Sequence, residues 1–192
     1  YKMNYRLIIR SIGYVLRIEV IFLLFPLVVA LINSDNSHWA FLWSILITFG
    51  AGTLLAFIKP KDKNFRTRDA FVVAGLSWIL LSIFGALPFY FSGYFSSFID
   101  CVFETASGFT TTGSTILTNI EVLPKGILFW RNFTHWIGGM GILMFFMAVA
   151  PTNASLVNLL RAESTGPSPD KVVPKIRETA RIMYMIYLAM TV

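Results

Sequence analysis

The sequence predicts an all-α integral membrane protein, and three observations carry that prediction. Of its 192 residues, 56% are hydrophobic, with a mean hydropathy of +0.68, above what soluble domains of this length carry. The apolar residues gather in runs of about 20, and at about 1.5 Å per residue such runs cross a hydrocarbon core. The basic residues fall in clusters between those runs, not along one face. The net charge of +6 therefore argues for a lipid bilayer as the partner and against nucleic acid. A single cysteine, Cys101, excludes an intramolecular disulfide and a cysteine-based zinc site. His38 and His135 lie far apart, which argues against a histidine-rich metal centre.

The first apolar run covers 14–32 and the second 39–58. Lys2, Arg6 and Arg10 precede the first, as in a signal peptide, but the apolar region is too long and no small-residue cleavage site follows. A third run spans 70–91 and a fourth 124–150, while 179–192 reads as the start of another span. The N-terminal segment carries Lys2, Arg6 and Arg10, with Arg17 just inside the first span. The loop 59–69 carries Lys59, Lys61, Lys63, Arg66 and Arg68; the segment 151–178 carries Arg161, Lys171, Lys175 and Arg177. Segments 33–38 and 92–123 carry no basic residue. The alternation puts the N-terminus in the cytoplasm and returns 92–123 to the outside.

Segment 92–123 leaves the third span and enters the fourth on one face. Within it, 95–108 places Phe95, Phe98, Ile99, Val102, Phe103 and Ala106 at helical spacing. A helix of that length reaches only about 21 Å, too short to span but suited to a re-entrant segment. Gly108 is expected to cap it. The hydroxyl-rich stretch 109–115, FTTTGST, follows. Backbone at membrane depth must line a wet cavity. Thr111, Thr112, Gly113 and Ser114 can do so, because a glycine that accepts positive φ lets successive carbonyl oxygens aim the same way. A ring of such carbonyls replaces the hydration shell of a cation, and the C-terminal end of the short helix adds a favourable field. Helix, filter and helix together follow the logic of a potassium pore.

The combination of TASGFTTTGSTI at 105–116 and WRNFTHWIGGMGILMF at 130–145 resembles the first pore repeat of the TrkH/KtrB/HKT superfamily of potassium transporters. Two helices before the repeat make the bacterial TrkH type the nearest likeness. The resemblance implies four repeats around one pore, each giving one filter strand with its central glycine where Gly113 falls. Potassium would be the transported ion, and Thr111, Thr112, Gly113 and Ser114 its binding residues. In plant members a serine at the matching first-repeat position goes with sodium transport. The resemblance further implies a homodimer of full-length subunits, a cytosolic ring of nucleotide-binding regulatory domains, and the bacterial inner membrane as location.

The organisation expected is therefore a two-span hairpin with its basic loop over 1–69 and a first pore repeat over 70–151. Its parts are a span, a pore helix at 95–108, a filter at 109–115 and a span at 124–150. A cytoplasmic linker follows over 152–178, then the start of a further span at 179–192. The chain is expected to be the N-terminal portion of a longer protein that does not conduct by itself. Other readings stand beside these. Residues 107–115 could be an ordinary Ser/Thr-rich outer loop. Asp100 and Glu104, four apart, could be a catalytic carboxylate pair, give the vestibule a negative field, or bond to backbone behind the filter. Arg131 is expected to snorkel or to be paired, His135 to bond a neighbouring helix, and Gly138, Gly139 and Gly141 to admit a close neighbour or form a hinge. An intramembrane enzyme lacks any paired catalytic motif here; a membrane scaffold without transport remains the third class.

Overall fold

A computed structural model describes residues 3–60, 67–141 and 173–191, and these are helices and their connections, with no strand. The helices are α1 (Tyr5–Ile32), α2 (His38–Ala56), α3 (Thr67–Gly85), α4 (Leu87–Ser92), α5 (Phe98–Phe109), α6 (Lys125–Met140) and α7 (Val173–Thr191). Among the described residues three stretches are long and apolar enough to cross a membrane: Tyr5–Ile32, His38–Ala56 and Arg68–Ser92. The fourth expected span begins as α6, and its remainder, 142–150, lies outside the described residues, as do Lys61, Lys63, Arg66 and most of the 152–178 linker.

The apolar residues divide by solvent. Leu16, Leu23, Phe41, Leu81, Phe89, Ile127 and Trp130 are buried between helices, whereas Leu24, Phe25, Leu46, Phe49 and Ile79 lie on the outside. An outside lined with large aliphatic and aromatic side chains suits hydrocarbon, not water. α1 and α2 form an antiparallel hairpin, with Gly13 against the backbone of Gly52 and Ala56 at the crossing. α3 runs beside α1, and the Asn4 amide donates to Asp69 Oδ1 at 3.3 Å where the two helices start. The helix ends bearing Arg6, Arg10, Lys59 and Arg68 belong to that end of the bundle; the α1–α2 turn and the start of α6 meet at the other.

The third span is not one helix. It breaks at Ala86, between α3 and α4. Pro88 is the cause: it has no amide proton, and its ring would strike the carbonyl four residues earlier, at Phe84, in a continuous helix. The Gly85 carbonyl at the break accepts instead from Trp130 Nε1, at 2.9 Å. α5 starts three residues later than the expected 95 and is capped by Ser97, whose hydroxyl accepts from the Asp100 amide at 3.2 Å.

Candidate functional site: the segment after the short helix

α5 descends beside α6 in the same direction. Glu104 meets Arg131, Gly108 lies against Thr134, and the Phe109 backbone lies against Gly138. The three contacted positions on each helix advance together, so the two helices run parallel over the C-terminal half of α5. Phe109 also faces Trp130 and Trp78 edge-on, with ring centroids 6.3 Å apart in each case. The chain then reverses: Ser114 returns to Ser107 and Thr115 to Glu104.

The reversal corrects one expectation. Gly108 does not end the helix; it is buried one residue inside the end, and a side chain there would collide with Thr134. The cap is Thr110, followed by Thr111 in the left-handed region at φ +55°. The Thr111 amide donates to the Gly108 carbonyl at 2.9 Å and the Thr112 amide to the Ser107 carbonyl at 3.0 Å. These are the two bonds of a Schellman turn, in which glycine usually holds the left-handed place. A β-branched residue there is a true outlier, costing about 1–2 kcal/mol.

Beyond the turn, Gly113 has φ +77°, while Thr112 and Ser114 do not have positive φ. Residues 110–116 are exposed, and a Cβ on Gly113 would meet nothing within 4 Å among the described residues. The opposite side of the segment is anchored. The Ser107 hydroxyl donates to the Ser114 carbonyl at 2.6 Å. Glu104 Oε2 accepts from the Thr115 hydroxyl at 3.0 Å and from the Ile116 amide at 3.4 Å. Glu104 Oε1 accepts from Arg131 Nε at 2.6 Å, with side chains 1% and 12% exposed. Of the readings open for Glu104, bonding behind the segment is the one found, and Arg131 is a paired residue. Asp100 sits in the first turn of α5, where its amide donates to the Ser97 hydroxyl.

Of the remaining side chains, His135 settles differently from expectation. His135 Nδ1 contacts the Arg131 carbonyl of its own helix at 3.0 Å, not a neighbouring helix. Gly138 and Gly139 face close neighbours, the Phe109 backbone and the Tyr187 hydroxyl. Gly141, at φ +72°, ends α6. The sequence reading passed over Glu19, which is 1% exposed within α1, with neither carboxylate oxygen bonded among the described residues. It lies against Gly85, behind α5. A lone acid inside an apolar run was signal enough to single it out.

Residues 37–192 match the family model described as TrkH, cation transport protein. The Trk system potassium uptake protein TrkH of Halomonas elongata is 39% identical over 99% of this chain and 40% of its own length. That of Escherichia coli strain K12 is 37% identical over the same shares of each. The chain thus spans about two fifths of the length of these relatives. The crystal structure of the potassium transporter TrkH from Vibrio parahaemolyticus superposes with a TM-score of 0.77 at 33% identity. It covers 97% of this chain and 37% of that one.

Proposed function

The chain belongs to the TrkH cation transport protein family, and from that membership we propose that it supplies one of four repeats of a channel-like potassium pore. It is a transport segment, not an enzyme. The observation that carries the proposal is the one-sided anchoring of 110–116: bonded from behind by Ser107 and Glu104, open in front. Alternating signs of φ at Thr111, Thr112, Gly113 and Ser114 suit carbonyls that share a direction, where strict β-structure would alternate them. The backbone carbonyls of these four residues bind the dehydrated potassium ion. Ser114 offers one lone pair, since Ser107 holds the other. α5 re-enters the membrane from outside and turns its negative C-terminal end toward the ion path. Inward movement draws on the membrane potential, about 2.3 kcal/mol per charge per 100 mV.

The N-terminus is cytoplasmic, the location is the bacterial inner membrane, and full-length subunits pair above a cytosolic nucleotide-binding regulatory ring; these parts rest on charge asymmetry and family likeness. The test is Gly113→Ser in the full-length protein, by uptake of potassium and sodium in cells lacking other potassium systems, with membrane abundance measured alongside. Among the described residues no neighbour obstructs the new side chain, so the effect is assigned to positive φ and to the ion path. Potassium preference over sodium falls before abundance does. Unchanged preference at normal abundance would make Gly113 an ordinary loop glycine.

A further inference from the structure

α6 begins at Pro124, which offers no side-chain cap, so its first amides depend on another part of the chain. Asp35, in the turn between α1 and α2, supplies it: Oδ2 accepts from the Gly126 amide at 2.9 Å, across 91 residues of sequence. The carboxylate is itself held. Oδ1 accepts from the Ser37 amide at 3.0 Å and from the Ser37 hydroxyl, and the Asp35 carbonyl contacts His38 Nδ1 at 2.8 Å. A carboxylate at a helix N-terminus is favoured by the helix dipole as well as by the bond. Gly126 is the matching half of the joint. A Cβ there would lie 2.7 Å from Ser37 Oγ, 2.8 Å from Ala30 Cβ and 3.1 Å from Phe41 Cε2. Hairpin and α6 therefore touch backbone to side chain at a point where only glycine fits.

Five residues further along α6, about 7.5 Å, stands Arg131, bonded to the Glu104 that holds Thr115 and Ile116. We propose that Asp35 is a positioning residue for ion selection: the N-terminal hairpin caps and clamps α6, and through Arg131 and Glu104 keeps the 110–116 segment in register. The hairpin is then a brace for the ion path. This inference rests on the permeation proposal above.

The test uses the full-length protein in cells lacking other potassium systems, reading the KM for potassium and the potassium-over-sodium preference at matched membrane abundance. Asp35→Ala raises the KM and lowers the preference by roughly fivefold, the size of a lost cap. Asp35→Asn, which keeps one acceptor oxygen, falls between Asp35→Ala and the parent. Gly126→Ala reproduces the defect, and the double variant is no worse than the worse single one, because both break one joint. Parent-like KM and preference in Asp35→Ala at normal abundance would overturn the proposal, as would loss of abundance alone in both Asp35 variants. Gly113→Ser runs in parallel: if it changes preference and Asp35→Ala does not, only the brace falls. If neither changes preference, the filter assignment falls with it.

Discussion

Glu104 shows how one side chain can set the geometry of a segment it does not belong to. Its two oxygens have different partners, one Arg131 on α6, the other Thr115 and Ile116 on the returning segment. Removing one partner of a buried ion pair leaves the other uncompensated, at a cost of about 3 kcal/mol or more. Arg131→Ala and Glu104→Ala should each destabilise the full-length protein by that order in thermal or denaturant unfolding. The double variant should cost clearly less than the sum of the two. Additive costs would mean the two charges do not depend on each other. The sequence presented Arg131 as a paired residue and Glu104 as one that could bond behind the filter, but not their pairing, because 27 positions separate them and only the parallel descent of α5 along α6 joins them. The positive φ expected of Gly113 was legible, since glycine is the residue that accepts it. Thr111 was not, because nothing in a run of threonines marks which one must turn left-handed.

At the scale of elements, hydropathy located the three membrane-capable stretches among the described residues, though α1 starts nine residues before its apolar run, while interruptions and caps stayed hidden. The break between α3 and α4 hides inside an apolar run, because Pro88 interrupts hydrogen bonding without adding charge. The Gly85 carbonyl freed near that break is recovered by Trp130, which is fully buried. Trp130→Phe keeps most of the ring and loses the donor. It should lower stability by about 1–3 kcal/mol, the cost of an unsatisfied buried acceptor, as read by the unfolding midpoint of the full-length protein. No change would mean water or another donor replaces the indole. Gly108 misled for a related reason. A glycine near a helix end suggests a cap, but here close packing against Thr134 demands it, and the turn bonds of Ser107 and Gly108 let threonine take the capping geometry.

Across the whole molecule, the two ends of the bundle differ in charge as the basic clusters require. Arg6, Arg10, Lys59 and Arg68 belong to one end, and the α1–α2 turn with the start of α6 to the other. Cys101 is buried, so single cysteines can be introduced with little background. Asn36→Cys should react with a membrane-impermeant thiol reagent on intact cells, and Lys59→Cys only after permeabilisation; the reverse pattern would invert the topology and remove the outer approach to 110–116. Among the described residues, the order of helices, the pairing of the first two and the turn through the hydroxyl-rich stretch were legible in the sequence. The anchoring behind that turn needed the fold. The most direct measurement of the central claim is the unfolding midpoint of the purified full-length protein in potassium against equal sodium. A ligand held by the native state at 100 times its Kd adds about 2.7 kcal/mol of stability. Potassium should raise the midpoint above that in sodium, and Gly113→Ser should close the gap. Equal midpoints in the two ions for the parent protein would contradict a potassium site at Thr111, Thr112, Gly113 and Ser114.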